Sequence, residues 1–281
     1  MPPFPSELAY VPFVSVEHMM GLVHHIGIET MLCDLADEIE ADFKRWELFD
    51  KTPRVASHSE VGVIEQMPTS DREMYDFKYV KGHPKNTRES LQTVTAFGLL
   101  ADVDSGYPKL LSEMTLLTAL RTAATSAMAA RHLAPKGATA MAMIGNGAQS
   151  EFQCLALKAI YGIDTVRLFD VDPLATARCA RNLAQSGLNV VPCTSGKQSM
   201  EGADIITTCT ADKQNATVVT DNMIGSGVHI NAIGGDCPGK TELHRDILLR
   251  SDIFVEYPPQ IRMKGRSRNW KRAILLLNCG R

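Results

Sequence analysis

Residues 140–150 read AMAMIGNGAQS, a short apolar run that ends in two glycines separated by one residue. A run of this length is typical of a buried strand, and glycines directly after it indicate a tight turn. Gly145 permits the turn, Gly147 leaves the backbone open to an anion, and Ser150 stands where a third glycine is common. The stretch therefore predicts a strand, a phosphate-binding turn and a helix whose first N–H groups face the anion. Two glycines alone also fit an ordinary turn.

Strand-like and helical segments alternate after this turn. The predicted strands read TVRLFDV, NVVPC, ADIITTCT, GVHINAIG and DIFVEY, with helices predicted to about Tyr161 and to about Ser186. Parallel strands need a crossover long enough for a helix, so this alternation predicts helices on both faces of a parallel sheet. Residues 123–265 are therefore expected to form a Rossmann-type, doubly wound α/β domain.

Asp170 ends the next predicted strand, where an acidic residue hydrogen-bonds the adenosine ribose in dinucleotide-binding folds. A carboxylate there would repel the extra phosphate of NADP, so NAD is the expected cofactor, although Arg178 on the next helix leaves NADP open. A helix cap is the other role for Asp170, but Asp172 before Pro173 suits that role better.

The first 122 residues have a different pattern. Apolar residues recur at helical spacing between about 15 and 49, and short strand-like runs broken by turn formers follow from 52 to 117. One of these runs contains a DSG turn between two apolar strands. A helix is predicted from about Glu113 to Pro135, linking the two regions. Residues 1–122 are therefore expected to form an α+β domain with an antiparallel sheet.

Composition excludes several classes of protein. Hydrophobic residues make up 44% of the chain and charged residues 22%, with a net charge of −3, which argues against a nucleic-acid partner. The start resembles no leader peptide and no apolar run reaches the roughly 18–20 residues of a membrane span, so a cytoplasmic location without membrane contact is expected. The seven cysteines and eight histidines show no metal-ligand spacing, so no catalytic metal is expected.

Six runs of sequence resemble the ornithine cyclodeaminase/mu-crystallin family, in its cyclodeaminase branch. They extend from about residue 52 to about 264 and read GVIEQMPTSD, FKYVKGHPKN, LQTVTAFGLLADVDSGYP, LTALRTAATSAMAA, IGNGAQSEFQ and IGGDCPGKTEL. The resemblance implies a homodimer, with an N-terminal substrate and dimerisation domain forming an antiparallel β-barrel across the interface, beside a Rossmann domain. It also implies an ammonia-lyase that converts L-ornithine to L-proline and ammonia, with NAD reduced and reoxidised by internal hydride transfer.

The family positions also imply roles for individual residues. Arg54, Lys78 and Arg121 would bind the amino-acid carboxylate, which suits cationic donors. Asp236, after two glycines at the end of a predicted strand, would be the base for the α-amine, and Glu65 would steer a water or protons.

Cofactor contacts are implied at further matching positions: Thr93, Arg121, Gly145, Gly147, Ala148, Gln149, Asp170, Thr210, Ala232 and Lys240. Thr93 and Thr210 are also explained as ordinary strand residues, because threonine has a high β propensity.

The resemblance ends near residue 265, and residues 266–281 form a basic tail unlike the family. Arg266, Arg268, Lys271 and Arg272 precede an apolar ILLL run, a pattern that also fits a nucleic-acid or membrane patch. A reading-frame change or truncation is the expected origin, leaving the Rossmann domain incomplete. Three alternatives to the cyclodeaminase stay open: an imine reductase or amino-acid dehydrogenase of the family, a non-catalytic binding protein, and a defective product.

Overall fold

The computed structural model describes residues 10–52, 54–210, 217–234, 242–257 and 273–275. These residues group into two compact units, one formed by residues 10–28 and 45–118 and the other by residues 29–44 and 119 onward. The division at residue 118 falls inside the helix Thr115–Leu133. The domain boundaries at 122 and 265 remain predictions.

The first unit contains a seven-stranded sheet. Its strands are β1 (Phe13–Val14), β2 (Asp50–Lys51), β3 (Val55–His58), β4 (Val63–Ser70), β5 (Met74–Gly82), β6 (Val94–Asp102) and β7 (Pro108–Glu113). The order is β1-β7-β6-β5-β4-β2, with β3 also paired to β4. Every pairing is antiparallel, as the sequence predicts for this sheet, except that of β1 with β7, which is parallel.

A hairpin joins β6 to β7 at the predicted DSG turn. The Asp102 carboxylate accepts hydrogen bonds from the backbone N–H of Ser105 at 2.9 Å and from its hydroxyl at 2.6 Å. Gly106 follows with a φ of +69°, a left-handed conformation that favours glycine. The turn therefore closes through local hydrogen bonds that the sequence already specifies.

Two helices occupy the predicted amphipathic stretch, α1 (Val16–Ile26) and α2 (Ile28–Lys44). Gly27 separates them, with a φ of +89°. They belong to different units, because α2 groups with the second one. There Leu32 and Ala36 are fully buried.

The second unit contains a five-stranded sheet in which every pairing is parallel, with the order β10-β9-β8-β11-β12. Its strands are β8 (Ala140–Ile144), β9 (Thr165–Phe169), β10 (Asn189–Pro192), β11 (Ile205–Thr208) and β12 (His229–Ala232). Besides α2, its helices are α3 (Thr115–Leu133), which belongs to this unit from residue 119, and α4 (Ser150–Ala156), α5 (Pro173–Asn182), α6 (Gly196–Met200) and α7 (Arg245–Leu249). A π-helical turn (Leu157–Tyr161) continues α4, and β13 (Ile253–Val255) pairs in parallel with β14 (Ala273–Leu275).

The core of this unit lies on both faces of the parallel sheet. Ile144 and Ile206 face Met200 and Ile247, whereas Met143 points to the opposite face and is also fully buried. Parallel strands covered on both faces are apolar at successive positions, which explains why AMAMI contains no alternation. The predicted doubly wound α/β fold is confirmed.

No helix within the described ranges combines the length and the apolar composition needed to cross a membrane. The basic residues of the predicted tail, 266–272, lie outside the described residues.

Candidate active site

The glycine turn directly follows β8 and places Gly145 against the neighbouring strand end. Gly145 has a φ of +91°, and its N–H donates to the carbonyl of Phe169 at 2.9 Å. A Cβ at this position would lie 2.6 Å from the carbonyl oxygen of Cys209, closer than real Cβ atoms approach. Both the backbone conformation and the available space therefore require glycine here.

Gly147 is not constrained in this way, because no atom of the residues that the structure describes lies within 4 Å of a Cβ placed there. Gly147 and Ala148 are exposed, and within the described residues their backbone N–H groups donate no hydrogen bond. Ser150 is fully buried, and its hydroxyl donates to the Gly147 carbonyl at 2.7 Å. The turn therefore leaves N–H groups and open space on its outer side.

Asp170 follows β9 and hydrogen-bonds directly to this turn. One carboxylate oxygen accepts from the backbone N–H of Asn146 at 2.6 Å, and the other accepts from the N–H of Asp172 at 2.9 Å. Asp172 caps α5 through the N–H of Leu174, with Pro173 at the first helical position, which confirms the predicted assignment of the cap. Asp170 is thus held at the strand end with lone pairs available for ligand hydroxyl groups.

Asn146 supports the turn from inside, a role that the sequence analysis missed. Its side chain is 1% exposed, donates to the Met143 carbonyl at 3.3 Å and accepts from the Thr176 hydroxyl at 2.9 Å. The sequence shows a polar residue between two glycines, and such a residue in a turn is not expected to have a buried side chain.

Two further predicted residues lie at the same edge of the sheet. Thr210 follows β11, and its backbone nitrogen would lie 3.0 Å from a Cβ on Gly145. Ala232 ends β12, in register with Thr208. The structure therefore brings Gly145, Asp170, Thr210 and Ala232 to the carboxyl ends of four parallel strands, where open α/β sheets bind ligands.

These residues fit a dinucleotide. The space beside Gly147 admits a pyrophosphate, the free N–H groups of the turn suit its charge, and the carboxylate of Asp170 suits ribose hydroxyl groups. Gln149, half-buried, completes the turn before α4.

A second group of predicted residues lies on one face of the first unit's sheet. Glu65 and Lys78 share this face, because Lys78 pairs in register with Met67, two residues from Glu65. The guanidinium of Arg54 lies 3.4 Å from the Glu65 carboxylate. Lys78 is only 7% exposed, although lysine is seldom buried, so this face holds a desolvated cation beside an ion pair.

Two more predicted residues, Thr93 and Arg121, lie one in each unit. Thr93 precedes β6 in the first unit, and its carbonyl accepts from the N–H of His83 at 2.9 Å. Arg121 lies on α3 in the second unit, half-buried among small residues. Asp236 and Lys240 lie outside the described residues.

The structure also contains a buried carboxylate to which the sequence analysis gave no role. Glu242 is 2% exposed and hydrogen-bonds to Thr208 and Thr210. It belongs to the quoted run IGGDCPGKTEL, but nothing in that run indicates that this glutamate is the buried one.

Comparison with known proteins agrees with this geometry. The model of the family described as ornithine cyclodeaminase/mu-crystallin matches residues 16–276. An ornithine cyclodeaminase of Brucella melitensis biotype 1 is 71% identical over 258 residues, which cover 92% of this chain and 72% of the relative.

Two solved structures are similar in fold. A lysine cyclodeaminase, studied for its recognition of L-lysine, L-ornithine and L-2,4-diaminobutyric acid, aligns with a TM-score of 0.86 at 27% identity, covering 95% of this chain and 80% of that one. An archaeal alanine dehydrogenase dimer with bound NAD aligns with a TM-score of 0.79 at 28% identity, covering 90% and 76%.

Proposed function

Because the chain belongs to the ornithine cyclodeaminase/mu-crystallin family, we propose that it converts L-ornithine to L-proline and ammonia with NAD as its cofactor. The observation that carries the proposal is the 71% identity to an ornithine cyclodeaminase over nearly the whole chain. The glycine turn with Asp170 supports the choice of cofactor, as does the NAD bound by the alanine dehydrogenase neighbour.

We propose that the nucleotide binds at the carboxyl edge of the parallel sheet. Gly147 and Ala148 receive the pyrophosphate, Gln149 completes the turn, and Asp170 accepts from the adenosine ribose. Thr93, Arg121, Thr210, Ala232 and Lys240 are further cofactor contacts that we propose from the family positions. When bound, NAD supplies an oxidation at Cα and a matching reduction within one turnover, so no net redox change occurs.

The substrate carboxylate is held by cations in this proposal. Lys78 supplies a buried positive charge, and Arg54 has N–H groups beyond the one that faces Glu65. Arg121 contributes a second guanidinium fork.

Two acidic side chains move the protons. Asp236 takes a proton from the α-amine, and Glu65 positions a water or transfers protons near Cα. Fixing the substrate lets its own side-chain amine attack Cα, so that ring closure is intramolecular and ammonia leaves. Both roles rest on the family positions.

A proline assay tests the function. Purified protein with L-ornithine and substoichiometric NAD is expected to yield equal amounts of L-proline and ammonia, with no net change in NADH absorbance. L-lysine and L-2,4-diaminobutyrate serve as competing substrates of different length. Net NADH consumption or formation would instead indicate a reductase or dehydrogenase, and NAD binding without proline would indicate a binding protein.

The Lys78→Met variant tests the carboxylate site. Loss of the buried cation is expected to lower kcat/KM for ornithine by about 100-fold or more, because a charge-assisted hydrogen bond to the substrate is lost, with NAD affinity nearly unchanged. Lys109→Met, which removes an exposed lysine paired with Asp102, is the matched control. Equal activities of the two variants would exclude Lys78 from the site.

We also propose that the protein is a homodimer. The alanine dehydrogenase neighbour is a dimer, and the sheet of the first unit has an aromatic face that a partner can cover. On that face Tyr79 stacks on Phe97 with ring centroids 4.9 Å apart, and Phe97 is 46% exposed. Exposed aromatic clusters of this kind mark interaction sites.

A further inference from the structure

Glu242 is a buried carboxylate at the carboxyl edge of the parallel sheet, where the nucleotide is proposed to bind. One oxygen accepts from the Thr208 hydroxyl at 2.8 Å. The other accepts from the Thr210 hydroxyl at 2.7 Å and from the Thr210 backbone N–H at 2.8 Å. A buried charge is costly unless its oxygens are hydrogen-bonded, and these three donors satisfy that need.

The position of this carboxylate is fixed by its surroundings. The Glu242 carbonyl accepts from the N–H groups of Val218 and Val219 at 2.8 and 3.0 Å. A methyl group on Gly234 would overlap the carboxylate, so the glycine there leaves just the room that Glu242 occupies. These contacts place the Glu242 backbone beside Val218 and Val219 and its carboxylate in the space next to Gly234, within reach of Thr210.

The contact decides how the Thr210 hydroxyl is oriented. A hydroxyl group has one hydrogen, and at Thr210 that hydrogen is donated to Glu242. Toward any other group the hydroxyl can then offer only lone pairs. Its backbone N–H is turned to the same carboxylate oxygen, so Thr210 faces a ligand as an acceptor.

We infer that Glu242 is a positioning residue that holds Thr210 as a hydrogen-bond acceptor for an N–H or O–H group of bound NAD. The inference rests on the proposed NAD site, and it assigns to Glu242 a task that the carboxylates Glu65 and Asp236 do not share. It also gives a reason for an acceptor to be buried at this strand end, where a side chain without an acceptor oxygen would leave the Thr210 hydroxyl free to rotate.

Binding titrations with NAD, followed by protein fluorescence or calorimetry, test the inference without using activity. Glu242→Ala is expected to weaken NAD binding about 10-fold or more, since one hydrogen bond to a ligand is worth about that factor. Glu242→Gln keeps an oxygen that accepts from Thr210 and can donate its amide to Thr208, so it should bind NAD within about threefold of the parent. Rescue by glutamine separates positioning from a need for charge.

A double-mutant cycle shows whether Glu242 acts through Thr210. Thr210→Val removes the acceptor, and adding Glu242→Ala to it is expected to weaken NAD binding by less than twofold more. Thr208→Val, which removes the other donor to Glu242, is the matched control and should keep NAD affinity within twofold even if thermal stability falls. If Glu242→Ala does not fold, the Glu242→Gln and Thr210→Val variants still provide the comparison.

The outcomes separate this inference from the proposed function. A parent protein that does not bind NAD overturns both. A parent that binds NAD, with full affinity in Glu242→Ala or with additive losses in the cycle, overturns only the role of Glu242. The analogue 3-acetylpyridine adenine dinucleotide, which lacks the amide N–H, identifies the donor. If Thr210→Val does not change binding of the analogue, the inference is supported with the carboxamide as donor. If it weakens binding of the analogue as much as binding of NAD, the inference is supported with a ribose hydroxyl or the adenine amino group as donor.

Discussion

At the scale of single residues, the two glycines of the turn illustrate two separate constraints. Gly145 is required by the protein itself, through its positive φ and the carbonyl of Cys209. Gly147 is not, because within the described part of the chain a Cβ there meets no atom closer than 4 Å. Both glycines belong to the same sequence motif, but only Gly145 has a structural reason that is independent of a ligand.

Alanine substitutions should separate these constraints. Gly145→Ala is expected to lower the free energy of unfolding by about 1–3 kcal/mol or more, from backbone strain and overlap with Cys209. Gly147→Ala should leave the unliganded protein within about 0.5 kcal/mol of the parent yet weaken NAD binding at least 10-fold. Urea unfolding and NAD titration measure the two effects. A Gly147→Ala variant that binds NAD normally would place the pyrophosphate elsewhere.

At the scale of elements, β12 carries a pair of polar side chains on one face of the parallel sheet. His229 and Asn231 lie on one face of the strand, and the His229 ring bonds to the Asn231 side chain at 3.0 Å. Desolvation lowers the pKa of His229 below its ordinary value of 6.5, and the hydrogen bond to Asn231 partly opposes that shift. The neutral imidazole is therefore the form that the folded strand accommodates.

This shift predicts a pH dependence of stability. Below about pH 6.5 the unfolded chain takes up a proton at His229 that the folded protein does not. The contribution of neutral His229 to the free energy of unfolding is therefore complete above that pH, and it is lost as the pH falls toward the lowered pKa of the folded state. His229→Gln should flatten this part of the profile, measured by urea unfolding between pH 5 and 7.5 in steps of about 0.5. Exposed His58→Gln is the control, and a profile unchanged by His229→Gln would contradict the assignment.

At the scale of the whole molecule, the sheet of the first unit has two chemically distinct faces. Glu65 and Lys78 lie on one face, and Tyr79 and Phe97 lie on the other, because successive residues of a strand point to opposite sides. Strand β5 therefore carries both a proposed substrate contact, Lys78, and part of the aromatic face proposed for dimerisation, Tyr79.

Sedimentation velocity tests the dimer. The parent is expected to sediment at twice the chain mass, and Phe97→Asp should weaken association at least 10-fold, because a charge would be buried at an apolar contact. Leu249→Asp, a change at an exposed apolar residue on α7, should leave the dimer intact. A monomeric parent would contradict the proposal, as would equal effects of the two variants.

The sequence by itself determined the α/β class and the glycine turn, because period, turn residues and caps are local properties of a chain. The cap at Asp172 and the DSG turn each specify their structure through contacts within a few residues, and the composition of the run AMAMI by itself indicates a buried strand. The resemblance added the family, and with it the residues of the proposed substrate site.

Only the tertiary structure decided which distant residues meet. It placed α2 in the second unit although this helix lies far from β8 along the chain, joined Arg54 to Glu65, and buried Glu242 against Thr210. Glutamate side chains are usually exposed in folded proteins, so the burial of Glu242 depends on the hydrogen-bond donors Thr208 and Thr210. Packing of the whole sheet brings such partners together, and no local sequence pattern indicates which residues they are.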